Sequence, residues 1–209
     1  MRRGIAGVVL SGCLCLAGSA FANLITTNNP GFEQSIHTTW VSGCDSTNWF
    51  GWGNVESVTW SNNSGSQSLV FKGWMGGAGA VETKTAVTPD TAYEASFYQT
   101  WDGSFSATTP QLMFIWIDSG GQSLTTNTFD LTISGAQANW NQAGMFNTTS
   151  PASASSVEIQ FNMGTMTAGG AYYLDDVSFA AAVPEPTTML LTTLGLVGLF
   201  TGRRKWMRK

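Results

Sequence analysis

Aromatic side chains are the residues of this sequence with the clearest capacity for binding chemistry. The eight tryptophans before the C-terminal segment are Trp40, Trp49, Trp52, Trp60, Trp74, Trp101, Trp116 and Trp140. A ring stacks on a sugar because the apolar sugar C–H groups meet the negative face of the ring. Most tryptophans of a folded domain are core residues, so we favour Trp74, which small residues follow at Gly76 and Gly77. Tyr98 and Trp116 are weaker candidates for ligand binding.

Catalytic patterns are scarce. His37 is the one histidine, which excludes a multi-histidine zinc site, and no Gly-x-Ser-x-Gly sequence accompanies it. A glycosidase needs two carboxyl groups at a defined separation, and no such pair can be identified among the thirteen acids. We therefore expect a non-catalytic protein with no catalytic residues.

The distribution of charge is uneven. Lys72 and Lys84 are the only basic residues between Arg3 and Arg203, although the formal net charge of the chain is only −4. The central part of the chain is therefore acidic. A phosphate backbone needs clustered lysine and arginine, so we exclude nucleic acid as a partner.

The N-terminus has the pattern of a secretory signal peptide over residues 1–22, with basic residues, an apolar run, and small residues at Ala20 and Ala22. The mature chain would begin at Asn23. A lipoprotein-type cleavage before Cys13 is the alternative, but its apolar run is short. Cleavage after Ala22 leaves Cys44 without a disulfide partner, so we interpret it as a small buried side chain rather than a functional thiol.

The C-terminus combines a proline-rich break, an apolar run and a basic end. Pro184, Glu185 and Pro186 precede sixteen residues over 187–202, and Arg203 and Arg204 follow. Sixteen helical residues span about 24 Å, which is enough for a thin bilayer. The basic end would stay in the cytoplasm.

This three-part arrangement over residues 183–209 resembles the PEP-CTERM sorting signal of Gram-negative bacteria. The resemblance implies export, transient anchoring in the inner membrane, and removal of the tail by an exosortase, a membrane cysteine transpeptidase. It also implies delivery to the cell surface or the extracellular matrix of a biofilm-forming or floc-forming cell. An ordinary single-span anchor is the alternative.

The segment over residues 23–182 has the pattern of an all-β sandwich or jelly roll. Short alternating runs such as Tyr93–Tyr98, Thr128–Ile133 and Val157–Met163 place apolar residues on one face. We predict six more strands and interpret 111–118, which is apolar on both faces, as a central one. These six are Val55–Trp60, Ser68–Trp74, Ala80–Val87, Gln111–Asp118, Trp140–Asn147 and Ala171–Phe179.

Four motifs in order resemble those of galactose-binding-like jelly rolls, a group that includes many carbohydrate-binding modules. They are the opening Asn23–Glu33, the internal Ser64–Leu69 and Thr88–Tyr93, and the closing Tyr172–Val177. The opening departs from the group's pattern at Thr27–Pro30, where the usual tight Asn-Gly-Gly turn is replaced. The resemblance covers nearly the whole domain and implies the same jelly-roll fold.

The same resemblance implies a structural calcium ion. Carried over to this sequence, its ligands are Gly31, Glu33, Ser64, Gln67 and Asp175, with Asp176 as the outward, non-ligating neighbour. Calcium prefers such oxygen ligands. The alternative is that Glu33 caps a turn through hydrogen bonds while Asp175 is solvated.

Together these features favour a non-catalytic module that binds polysaccharide. Acidity of the domain disfavours strongly anionic glycans, so a neutral polysaccharide is the expected partner. A structural matrix or spacer protein without a ligand is the main alternative, and a glycan-active enzyme is a weaker one.

Overall fold

The structure, a computed structural model, describes residues 23–34, 48–167 and 169–182. Two short 3₁₀ turns, Thr26–Asn28 and Gly73–Met75, accompany the strands. The strands of the described residues are β1 (Phe50–Gly53), β2 (Val55–Val58), β3 (Ser68–Lys72), β4 (Gly77–Ala86), β5 (Ala92–Trp101), β6 (Gln111–Ile117), β7 (Ser123–Asp130), β8 (Gln137–Thr149), β9 (Ser156–Met166) and β10 (Ala171–Ala181).

The ten strands form two antiparallel five-stranded sheets. Sheet 1 has the order β1-β4-β9-β6-β7, and sheet 2 has the order β2-β3-β10-β5-β8. Their inner faces share one apolar core. The predicted jelly-roll β-sandwich is confirmed.

The core is built from the residues that alternation places on the inner faces. In β5, Tyr93 and Phe97 are buried, and Phe97 packs edge-on against Phe161 of β9 with ring centroids 4.9 Å apart. Tyr93 stacks on Phe179 of β10 at 5.0 Å. The Phe97–Phe161 contact joins the two sheets, and the Tyr93–Phe179 contact packs neighbouring strands of sheet 2, through aromatic rings that bury a large area.

The structure corrects two predicted strand positions. The strand predicted over 128–133 ends at Asp130 and begins earlier, at Ser123. Because β7 is an edge strand that pairs only with β6, its exposed Thr-rich half shows no apolar alternation. The glycine-rich β1 was not predicted, since half of its residues are glycine.

The first and last described segments meet on β10. Asn23 forms a bridge with Ala180, and its side-chain Oδ1 accepts a hydrogen bond from the N–H of Phe179 at 3.0 Å. Ala182 N–H donates to Ala92 O at 2.8 Å, which ends the described fold one residue before Val183. The predicted signal peptide, sorting tail, His37 and Cys44 lie outside the described residues.

Candidate functional site

Glu33 anchors the turn that leads into β3. Its Oε2 accepts hydrogen bonds from Ser66 Oγ at 2.7 Å and from Ser66 N–H at 2.9 Å, and its Oε1 accepts from Gln67 N–H at 3.2 Å. Slight desolvation raises the pKa of Glu33, but the hydrogen bonds from Ser66 and Gln67 outweigh it and lower the pKa below its usual value. Glu33 therefore caps the turn, as the hydrogen-bonding alternative predicted.

Gly65 allows this contact. Its φ is +59°, and a Cβ at this position would lie 2.1 Å from Glu33 Oε1. Only glycine combines that backbone conformation with such a close approach. The turn can therefore approach the Glu33 carboxylate this closely only with glycine at position 65.

Asp175 lies beneath the same turn and is 0% exposed. Its Oδ2 accepts hydrogen bonds from Asn63 N–H at 2.8 Å and Ser64 N–H at 3.2 Å, and its Oδ1 accepts from Asp176 N–H at 2.7 Å. Burial raises the pKa of Asp175 to about 7, with a further contribution from the charge of Asp176. Asp175 is not solvated, contrary to the second half of that alternative.

Asp176 also faces the turn, although the sequence predicted an outward side chain. A bulge between Asp175 and Ser178 and a φ of +47° at Asp176 turn it inward. It accepts hydrogen bonds from Asn63 Nδ2 and Ser64 Oγ, each at 2.7 Å. The polar Asn-Ser pair at 63–64 was the available signal for this contact.

The structure thus brings together all five residues of the predicted calcium site. Beyond the Glu33 and Asp175 contacts, a Cβ added to Gly31 would lie 3.4 Å from Asp176 Oδ1 and 3.6 Å from Asp175 Oδ1. The carboxylate oxygens suit a hard cation, whereas the backbone groups that contact Glu33 and Asp175 are N–H groups, which cannot ligate one. Yet among the described residues no three His, Cys, Asp or Glu side chains form a metal-binding group by themselves. Backbone carbonyls would have to complete the shell.

No lysine neutralises these carboxylates. Lys72 pairs with Glu56 at 3.1 Å and Lys84 with Glu158 at 3.8 Å, and these are the two basic residues of the described segments. Asp175 and Asp176 are adjacent acids with no basic partner among the described residues. Such a pair favours either protonation of one carboxylate or a bound cation.

The outer face of sheet 1 carries the most exposed aromatic pair. Phe50 is 63% exposed and Trp52 is 38% exposed, and their ring centroids lie 6.0 Å apart at 37°. Gly51 between them is buried, so both rings project from the same face of β1. Neither residue was predicted from the sequence as a ligand contact.

Polar side chains continue this face across the sheet. Phe50 pairs with Glu82 of β4, which accepts a hydrogen bond from Gln160 Nε2 of β9 at 2.9 Å. In the next row, Asn162 pairs with Gln111, whose Nε2 donates to Asp130 at 2.9 Å. The face therefore offers rings at one edge and amides with carboxylates beside them. We call it the sheet 1 surface.

The three predicted ligand-binding aromatics have different positions. Trp74 lies in the 3₁₀ turn after β3, is 44% exposed, and its N–H donates to Gly170 O. Tyr98 is half-buried on the outer face of sheet 2, opposite Asp175. Trp116 is 0% exposed, and its Nε1–H donates to Asn127 Oδ1 at 2.6 Å within the sandwich. Trp116 is thus a core residue, and its ring cannot stack on a ligand.

Among the described residues, no helix is long and apolar enough to cross a membrane. The predicted membrane helix falls outside these residues.

Comparison with known proteins identifies the tail. Residues 182–205 match the family described as the PEP-CTERM protein-sorting motif. This range contains Pro184, Glu185, Pro186, Arg203 and Arg204, so the predicted sorting motif is confirmed. No curated protein matches the chain.

The fold is similar to parts of three larger solved chains. The enzymatically active domain of bacteriophage CBA120 tailspike protein 4 matches with a TM-score of 0.54 and 16% identity, over 77% of this chain and 21% of that chain. The arabinose-bound α-L-arabinofuranosidase MgGH51 gives 0.51 and 17%, over 77% and 26%. The CBM22-1–GH10 modules of Clostridium thermocellum xylanase 10B, complexed with xylohexaose, give 0.51 and 13%, over 74% and 28%. This chain spans less than a third of each, and the likeness at such identity concerns the fold.

Proposed function

We propose that this protein is an exported, non-catalytic module that binds a polysaccharide on the sheet 1 surface. The observation that carries the proposal is the exposed pair Phe50 and Trp52, whose rings lie side by side at the edge of a polar sheet face. Exposed neighbouring aromatic rings are costly to leave in water and are typical of binding surfaces.

The surface suits a sugar chain in two respects. The two rings can stack on the apolar faces of successive sugar units. Gln111 and Asn162, which pair in the row of Trp52, are half-buried and can exchange hydrogen bonds with hydroxyl groups. Strands are about 4.8 Å apart, so the five-stranded face is about 19 Å wide. Trp74, exposed in the turn before β4, is the proposed additional ring contact.

Charge on this surface favours a neutral glycan. Glu82, Asp130 and Glu158 belong to its strands, and Lys84 is the one lysine there among the described residues. An anionic polysaccharide would meet net negative charge and bind less well. A neutral polysaccharide would meet no such repulsion.

The sorting motif supports a processed, extracellular product. We propose that an exosortase removes the tail near Pro184–Pro186, and that the domain reaches the cell surface or the extracellular matrix. Because the last described hydrogen bond of the fold is at Ala182, little chain separates the sandwich from the proposed cleavage region.

We also propose that calcium binds where Asp175, Gly31 and the turn over 63–67 meet. The donor types fit the ion, and its charge would offset the buried carboxylate of Asp175. Glu33 would contribute through the turn that it holds, since its oxygens already accept hydrogen bonds. The ion would serve stability rather than ligand binding.

Affinity electrophoresis tests the ligand-binding proposal. Native gels containing xylan, β-1,4-galactan or mixed-linkage β-glucan should retard the protein, and Phe50→Ala/Trp52→Ala should reduce that retardation. Leu24→Ala is the matched control, because Leu24 is 36% exposed and lies in the opening segment, outside the strands of both sheets. A dissociation constant between micromolar and millimolar corresponds to about −8 to −4 kcal/mol. Mobility unaffected by all three glycans would contradict binding, and glycan hydrolysis would contradict the non-catalytic assignment.

A further inference from the structure

We propose that the outer face of sheet 2 is a second binding site for neutral polysaccharide, formed by the row Trp60, Tyr173 and Trp140. One molecule could then hold two glycan chains at once. This inference rests on the proposed function, because it assigns the same class of ligand to the opposite side of the sandwich.

The three rings form a continuous row. Trp60 Nε1–H donates to the hydroxyl of Tyr173 at 3.4 Å, and the ring centroids of Tyr173 and Trp140 lie 6.4 Å apart at 59°. Trp60 follows β2, Tyr173 belongs to β10 and Trp140 belongs to β8. Since β2 and β8 are the two edges of sheet 2, the row crosses the whole face.

The row is accessible and firmly supported. Trp60 is 59% exposed, and Tyr173 and Trp140 are half-buried. Beneath them lies a second apolar cluster, separate from the main core, against which Tyr173 packs; its members are Val58, Val70 and Ala171. Rings held on a rigid base lose little conformational entropy when a ligand binds. The row of three rings is therefore preorganised for ligand binding.

Polar groups lie in the adjacent row of the same face. Tyr98 of β5 pairs with Gln142 of β8, which is exposed, and Tyr98 is half-buried. A phenol and an amide can exchange hydrogen bonds with sugar hydroxyl groups. Tyr98, predicted from the sequence as a ligand contact, belongs to this site rather than to the sheet 1 surface.

Charge on the face indicates a neutral occupant. Lys72 and Glu56 lie toward the β2 edge and pair at 3.1 Å, with the Lys72 side chain 2% exposed. Their charges offset each other, and Asp175 is buried. Glu94 of β5 alternates with buried inner-face residues and adds a negative charge to the outer face, so the face disfavours an anionic glycan. Planar rings with polar edges remain as its recognition groups.

Two sites on opposite faces give the protein a linking capacity. The two sheets of a sandwich lie about 10 Å apart, so chains bound on the two outer faces would be joined through one compact domain. Neighbouring molecules on the same two chains would reinforce each other through effective concentration. A bivalent module of this kind cross-links a soluble polysaccharide.

Affinity electrophoresis and turbidity with the most retarding of xylan, β-1,4-galactan and mixed-linkage β-glucan test the inference. We expect Trp60→Ala/Trp140→Ala to lose part of the retardation and all of the turbidity. Phe50→Ala/Trp52→Ala should also lose part of the retardation and all of the turbidity. The variant with all four substitutions should lose retardation and turbidity completely. Leu24→Ala is the matched control, because Leu24 is 36% exposed and lies in the opening segment, outside the strands of both faces. Circular dichroism and melting temperature verify folding, and the single variant Trp60→Ala repeats the test with the most exposed ring.

The outcomes separate the two proposals. Wild-type retardation and turbidity in Trp60→Ala/Trp140→Ala would overturn the second site and leave the sheet 1 surface in place. Complete loss of retardation in Phe50→Ala/Trp52→Ala alone would also overturn it, since only one site would exist. A self-association in sedimentation that Trp60→Ala abolishes would assign the face to a second copy instead. No retardation of the wild-type protein would overturn both proposals.

Discussion

Both carboxylate oxygens of Glu33 accept a hydrogen bond from the same backbone N–H of Ser66, at 3.0 and 2.9 Å. The two residues are 33 positions apart in the chain, so this bond ties the opening segment to the turn before β3. Hydrogen bonds to an ionised acceptor are stronger than neutral ones. The contact therefore fixes one end of the sandwich.

We expect Gly65→Ala to destabilise the protein through this contact. The added Cβ would occupy the position of Glu33 Oε1 and would also strain a backbone with φ of +59°. The expected loss is about 2–3 kcal/mol, from strain and from broken hydrogen bonds. Chemical denaturation measures it. Gly121→Ala is the control, because its φ is +82° and nothing lies within 4 Å, so it reports strain alone. Equal losses in both variants would show that the Glu33 contact adds nothing.

Chelation should lower the melting temperature of calcium-loaded protein. An ion that binds only the folded state stabilises it by mass action, by about 2.7 kcal/mol at a hundredfold excess over the dissociation constant. Asp175→Asn should abolish the response to chelator, and Glu33→Ala should weaken or abolish it, since Glu33 holds the turn. Asp130→Asn, an acid of β7, should respond like the wild type. Identical melting curves of the fully loaded wild type with and without chelator would exclude the site.

Trp74→Ala should weaken polysaccharide binding without changing stability. The ring is 44% exposed, so its removal costs little core packing, whereas a lost stacking contact of about 1.4 kcal/mol would reduce affinity about tenfold. Met75→Ala, at the neighbouring residue with 54% exposure, is the control. Binding by isothermal titration that is equal for both variants would remove Trp74 from the site and leave the Phe50–Trp52 pair.

The secreted protein should lack both ends of the printed sequence. We expect a chain that starts at Asn23 and ends near Pro184–Pro186, because the proposed processing removes a signal peptide over residues 1–22 and the sorting tail. Intact-mass spectrometry of the extracellular fraction measures this. Recovery of a chain that still ends at Lys209 would contradict the proposed processing.

Sequence patterns predicted the architecture well because alternation directly reports one buried face. In the runs at 93–98 and 157–163, the alternate apolar residues lie on the inner faces of β5 and β9, as predicted. The sequence also predicted that Glu33 and Asp175 lie close together, because a jelly roll brings its first and last strands side by side. Polar edge strands such as β7 show no such periodicity, so the sequence could not predict the residues at which they begin and end.

The sequence could not distinguish exposed aromatic residues from buried ones. Trp116 lies in an apolar run and is buried, whereas Trp52 lies between Gly51 and Gly53 and projects from β1. The difference depends on strand register, which is a long-range property. The same is true of Trp60, Tyr173 and Trp140, which only pairing across the sheet brings together.

The position of β10 has a consequence for how the domain is made. It is the last described strand, yet it lies in the middle of sheet 2, between β3 and β5. Until it arrives, that sheet consists of two separate hairpin-sized pieces, which are marginally stable in water. A growing chain therefore cannot complete the sandwich before residues 171–181 have been synthesised, and an export channel that accepts only unfolded polypeptide would receive a suitable substrate.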